Sequence, residues 1–235
     1  MEIITKLKET WLSRKMPKNN FITTLLIMST FVFGSVIYLN NFFNANKWMA
    51  VSFELAINQQ QYWRLLTSLF AHGDFAHIGN NMLFFFPFCY YLMGYFGILL
   101  FPFLGFVFGG IINLIVIHGM PEHTTLIGAS GMVHWMGGIW LTLAFFIDQK
   151  PSVIQRILKF SAISILLFLP DTLKPDVSYM SHFVGYILGI LAGSIYYLLQ
   201  RNKFNNAKVY EYVIEDDALV GFDYSETTTS SVANE

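Results

Sequence analysis

Six long apolar stretches run through a chain of only 235 residues, and they leave few folds open to it. They cover roughly 21–39, 75–95, 98–117, 130–147, 153–170 and 179–199. Each is close to the ~20 apolar residues that an α-helix needs to cross the hydrocarbon layer of a bilayer. Within that layer only helices or closed barrels satisfy every backbone N–H and C=O. The expected fold class is therefore all-α: a polytopic membrane protein, a six-transmembrane-helix bundle over residues 21–200. Composition agrees, with 54% hydrophobic residues and only 12% charged, against about 25% charged in a soluble domain. A net charge of −1 gives no basic footprint for nucleic acid, so the partner surface expected is the lipid bilayer. The single cysteine, Cys89, excludes an internal disulfide and zinc sites built on cysteine pairs.

Lys and Arg placement orients the spans. Lys6, Lys8, Arg14, Lys15 and Lys18 precede the first; Lys150, Arg156 and Lys159 surround the start of the fifth; Arg201, Lys203 and Lys208 follow the sixth. All fall on one side, and only Lys47, Arg64 and Lys174 fall on the other. The positive-inside rule then puts both termini in the cytoplasm. Residues 1–20 form a cytoplasmic N-terminal segment with no cleavable signal, so the first helix is expected to stay as an anchor. Residues 40–74 read as an outer loop whose amphipathic part, with Trp48, Tyr62 and Trp63, lies in the interface. Residues 201–235 form an acidic cytoplasmic tail, expected to be disordered towards its end, although VYEYVIEDD alternates weakly enough to allow a short strand.

Polar groups inside spans are costly and are functional suspects by default. Those present are His77, Asn80 and Asn81 at the start of the second span, Asn113 in the third, Ser130 and His134 at the start of the fourth and His182 at the start of the sixth. The second, fourth and sixth spans enter from the same outer side, so these residues sit at similar depth. His77 and Asn81, four apart, share a helix face. A serine hydroxyl becomes a nucleophile when a base takes its proton, and a neutral histidine suits that task. The side chains of His77 and Asn81, with backbone N–H groups at Ala129 and Ser130, could donate to an oxyanion. No intramembrane Asp or Glu is available as a third member, which favours a Ser130–His182 dyad over a triad. Structural alternatives stand beside this reading. Ser130 could be a small residue easing helix packing, and His77 with Asn81 an interhelical hydrogen-bonded pair.

At these positions the chain resembles the rhomboid family of intramembrane serine proteases. Trp63–Arg64 resembles the family's WR dipeptide, and His72-Gly-Asp-Phe-Ala-His77-Ile-Gly-Asn80-Asn81 its second-helix motif. Gly128-Ala129-Ser130-Gly131 resembles the nucleophile motif GxSG, and His182-Phe-Val-Gly185-Tyr-Ile-Leu-Gly189 the motif HxxGxxxG. The resemblance covers roughly residues 20–200. It implies a nucleophile at Ser130, a base at His182 and an oxyanion hole lined by His77 and Asn81. Gly128 and Gly131 would shape the turn, and Gly185 and Gly189 would let the sixth helix approach the fourth. It also implies transmembrane protein substrates, cut in or near their spans, and no cofactor or metal. The short tails resemble prokaryotic members, hence an inner-membrane location.

The chain departs from the family pattern twice. The aromatic that usually follows the serine by four, commonly tyrosine, is His134, which can stack but also titrate. A glutamate that follows the second-helix motif in many relatives is replaced near Met93. His134 has a supporting role in this reading, with base duty as its alternative; His72 is read as a structural residue of the loop. The absence of H-E-x-x-H disfavours a metalloprotease, and the lack of charged groups near mid-membrane disfavours a transporter. Two rivals remain: a silent relative that binds membrane proteins, and a membrane-organising protein that works through its acidic tail.

Overall fold

The computed structural model describes residues 2–169 and 178–215. Its long helices are α1 (Asn20–Leu39), α3 (Phe75–Phe96), α4 (Gly105–His118), α5 (Ser130–Ile147), α6 (Val153–Phe168) and α7 (Tyr179–Asn206); α2 (Arg64–Thr67) is a single turn. They lie close to the six apolar stretches. Among the described residues four helical segments are long and apolar enough to cross a membrane: Asn20–Leu39, Leu99–His118, Ser130–Ile147 and Tyr179–Asn206. The polytopic all-α class holds, and the expected count of six spans is not confirmed. Asn80, Asn81 and three tyrosines (Tyr90, Tyr91 and Tyr95) dilute the apolarity of α3, and α6 has only 16 residues.

Local chemistry sets where the helices begin and end. Asp74 caps α3, its carboxylate accepting from the His77 N–H at 2.6 Å. The helix stops at Gly97, whose φ of +88° suits glycine. Ser152 and Gln155 close a capping box at the start of α6, and Ser178 caps α7. The third apolar stretch is not one regular helix: a wide π-turn, Leu99–Leu104, precedes α4.

The central helix is α5. Of its membrane-crossing window 78% is buried, against 17% for α1. A polar bundle core would cost dearly in lipid, and the core here is apolar: Trp135, Met132, Met136, Ile139, Phe85, Phe31 and Phe101 are all fully buried. Large apolar side chains such as Phe33, Leu158, Ile165 and Leu198 face outwards, as a lipid-solvated surface allows.

The loop between α1 and α3 is a chain of short turns, Phe42–Lys47, Glu54–Asn58, α2 and Ser68–Phe70. Arg64 organises it. Its side chain is 4% exposed and donates to the carbonyls of Ala50 (2.7 Å) and Lys47 and to the Gln61 amide oxygen. Asn113 of α4 pins the same loop through Leu65 O and Ser68 Oγ. Trp63 and Tyr62 remain exposed.

At the other end of the bundle is an element that the sequence only half revealed. Strand β1 (Glu2–Glu9), in the N-terminal segment for which no strand was expected, pairs antiparallel with β2 (Val209–Glu215) in the register Leu7↔Tyr210, Lys6↔Glu211 and Thr5↔Tyr212. A Lys8–Glu211 ion pair at 3.1 Å lies across it. Between β1 and α1, Trp11 donates to Tyr95 O at 3.1 Å, and the Arg14 guanidinium, 3.6 Å over the Trp11 ring, bonds the same carbonyl. The disorder expected of the acidic tail falls on residues 216–235, outside the described residues.

Candidate active site

The closest approach of two helices in the molecule builds the site. Along α5 and α7, glycines face one another at Gly131, Gly138, Gly185 and Gly189. A Cβ on Gly185 would fall inside the Gly131 carbonyl oxygen, and one on Gly189 inside that of Trp135. Only backbone fits there, so the two helices touch backbone to backbone. Ser130 opens α5 one residue before the first of these contacts, and His182 lies three residues before Gly185, in the first turns of α7.

His134 joins them. Its Nδ1 is 2.8 Å from the Ser130 carbonyl oxygen. Its ring lies flat on that of His182, with centroids 4.1 Å apart and planes 8° apart, and Phe168 tilts against it from α6 at 4.8 Å. The position usually taken by tyrosine is thus used for stacking. His182 is 2% exposed. Ser130 is only partly buried and lies on the wall of a cleft of ≈ 610 Å³, together with His77, Asp74, Met120, Ser178 and Met180. The serine side of the arrangement is open and the histidine side is closed.

The turn before Ser130 is set by Gly128, at φ +110°. A side chain there would be strained, and its Cβ would lie 2.9 Å from His77 Nε2. The Gly128 N–H donates to Ser68 O at 2.9 Å, which ties this turn to the loop. His77 therefore lies against the residue two before the serine, and Asn81, 7% exposed, lies one turn deeper.

The sequence reading undervalued His72. It is fully buried, with Nδ1 2.8 Å from Ser35 Oγ of α1, Nε2 2.8 Å from Asn81 Nδ2, and the Ala129 N–H 3.4 Å from that same Nε2. Ser35 has one hydroxyl proton, and it faces the Phe31 and Phe70 carbonyls. The consistent assignment has His72 donating from Nδ1 to Ser35 and accepting at Nε2 from Asn81 and Ala129. Burial first, then the nearby His77 charge, push the His72 pKa down to about 3, so the ring stays neutral and keeps that tautomer. Two groups assigned to the oxyanion hole, the Asn81 amide and the Ala129 N–H, are thus held by one histidine. The sequence signal was weak: Ser35 is one of two serines and three threonines in α1.

Asn80 is exposed and lies outside this cluster, as does His118, whose Nδ1 is 2.7 Å from Leu114 O. Met93, near which the family resemblance would place a glutamate, is buried in α3 at 6% exposure.

No curated protein matches the chain. The family model of the rhomboid domain matches residues 59–199, from the Arg64 loop to the last apolar turns of α7. That stretch holds the facing glycines of α5 and α7, the lining of the cleft and His72, His77, His134 and His182, and it covers more than half of the chain. The chain belongs to the rhomboid family, a family of polytopic intramembrane serine proteases that also includes inactive members.

Proposed function

We propose that the chain is an active intramembrane serine endopeptidase that cuts membrane-anchored proteins in or near their transmembrane segments, with Ser130 as nucleophile and His182 as base. One observation carries the reading. Ser130 lies on the wall of the open cleft, while His182 is buried on the helix whose backbone touches Ser130's own first turn.

In the proposed reaction His182 takes the Ser130 hydroxyl proton as Oγ attacks the scissile carbonyl carbon. The negative charge that develops on the carbonyl oxygen is met, in this reading, by the Asn81 amide N–H not used by His72, the His77 ring and the Ser130 backbone N–H. Collapse breaks the C–N bond, and His182 returns its proton to the departing amine. Water then repeats the steps on the acyl-serine and releases the acid. Flat stacking on His134 holds the His182 ring in one plane through both proton transfers, which conserves the orientation that the chemistry needs.

The test is cleavage of a transmembrane substrate by the purified protein in detergent, with fluorophosphonate labelling as a second readout. Cleavage and labelling are expected, and Ser130→Ala should abolish both. Cleavage that survives Ser130→Ala overturns the assignment; a folded wild type that neither cuts nor labels marks an inactive member of the family.

A further inference from the structure

The end of α5 remote from Ser130 carries a second polar constellation, which the protease chemistry does not use. A groove of ≈ 350 Å³ lies between the last turns of α5 and the first turns of α6. Trp140, Phe145, Phe160 and Ile163 give it an apolar floor, and Asp148, Arg156 and Lys159 line its polar part. A second apolar trough of ≈ 260 Å³ lies on the other side of Phe145 and Phe160, against Ile157 and Ile190. At 1.5 Å per residue, the 18 residues of α5 span about 27 Å. Asp148 is therefore about one hydrocarbon thickness from Ser130, at headgroup level when Ser130 is near the opposite surface.

Two polar atoms in the groove make it more than a set of snorkelling side chains. The Arg156 guanidinium is fixed, with Nη1 donating to Phe145 O at 2.8 Å and Cζ 5.1 Å from the Phe145 ring centroid. Its Nε is nevertheless buried with no hydrogen-bond partner among the described residues, and so is the Asp148 carboxylate atom Oδ1. Among the described residues no ion pair joins Asp148 to Arg156 or Lys159. Both residues are half-buried, yet each keeps one buried polar atom without a partner, which costs free energy. The groove thus presents a cationic pole and an anionic pole, each with unused hydrogen-bonding capacity, beside two apolar troughs.

We propose that this groove binds one zwitterionic aminophospholipid, a phosphatidylethanolamine. Its phosphate lies on Arg156 and Lys159, its ammonium donates to Asp148, and its two acyl chains follow the two troughs. A guanidinium matches phosphate geometry. An anionic glycerol headgroup offers Asp148 hydroxyl donors but no positive charge, and its net negative charge is repelled by the carboxylate. A choline headgroup has the charge but no N–H to give to Oδ1.

The test is native mass spectrometry of the full chain in detergent, titrated with phosphatidylethanolamine, phosphatidylcholine and phosphatidylglycerol of identical chains, and with chain-free glycerophosphoethanolamine. Phosphatidylethanolamine is expected to bind about tenfold more tightly than the other two lipids, and glycerophosphoethanolamine at least tenfold more weakly than the whole lipid. Asp148→Leu, which removes the acceptor as well as the charge, should abolish the preference over phosphatidylcholine and weaken phosphatidylethanolamine the more of the two. Lys159→Gln should weaken every phospholipid. Equal binding of the ethanolamine and choline lipids, tighter binding of the glycerol lipid, a preference that survives Asp148→Leu, or binding of the chain-free headgroup as tight as the lipid would each overturn the proposal. The wild-type lipid panel decides it even where a variant fails to fold.

Discussion

His72 and His182 are both buried histidines at the same end of the bundle, and their surroundings give them opposite tasks. His72 lies in the loop before α3 and is locked neutral, with its acceptor nitrogen committed to Asn81 and Ala129. Its lowered pKa has a consequence for stability. The unfolded chain takes up a proton at this residue below about pH 6.5, whereas the folded chain resists until about 3. Its contribution is therefore complete above pH 6.5 and declines as pH falls from there towards 3, by at most about 1.4 kcal/mol per unit. Thermal unfolding in detergent at pH 7.5 and pH 5 should show this loss in the wild type and a smaller loss in His72→Gln, which keeps a donor and an acceptor but cannot titrate. At the stacked pair, His134→Phe should keep most proteolytic activity because an aromatic face still supports His182, whereas His182→Ala should lose it. If instead His134→Phe is as inactive as His182→Ala in the cleavage assay, His134 rather than a bare aromatic face is required.

Between elements, the α5–α7 contact is the one that a single methyl group would break. Gly185→Ala would force a Cβ into the Gly131 carbonyl, and the helices would have to part by a fraction of an ångström. Overpacking of this kind costs about 1–3 kcal/mol, and it acts one turn from His182, so activity should fall along with the unfolding midpoint. Gly79 on α3 is the control. A Cβ there meets nothing, and Gly79→Ala should be neutral or stabilise the helix by up to about 1 kcal/mol, read from the same melt and the same cleavage assay. These contacts were legible in advance because glycines at a spacing of four on one apolar helix have few other uses. The meeting of Ser130, His77 and Asn81 around one turn was legible for a similar reason: helices entering from one side place their first turns at one depth. The irregular start before α4 was not legible, since an apolar run reads the same whether it winds as α-helix or as a wider turn. The six-span count rested on apolarity alone, and asparagines and tyrosines in α3 lower that apolarity without stopping its helix. Arg64 read equally as a ligand for lipid phosphate or for carbonyls, and only the folded loop, which turns three acceptors towards it, decides for Ala50, Lys47 and Gln61.

Across the whole molecule, the two ends of the bundle differ in kind. One holds the histidines, the cleft and the Arg64 loop. The other holds the β1–β2 ribbon and the Trp11–Arg14 clasp on Tyr95. The ribbon is small, its Lys8–Glu211 pair is exposed, and such pairs contribute about 0–1 kcal/mol. Removing residues 209–235 should therefore leave cleavage by the membrane domain largely intact while lowering the unfolding midpoint by a few degrees at most. Loss of cleavage in that truncated chain would show that the remote end acts on the active site. The pairing also has a consequence in time. About 200 residues separate β1 from its partner, and at a synthesis rate of about 5–20 residues per second that interval is roughly 10–40 s. Throughout it, β1 is a strand with no neighbour while helix after helix enters the bilayer. Its edge is satisfied only after α7 has been made, so formation of this ribbon marks the moment at which the last helix is complete, and a fluorophore on each strand would time that moment directly.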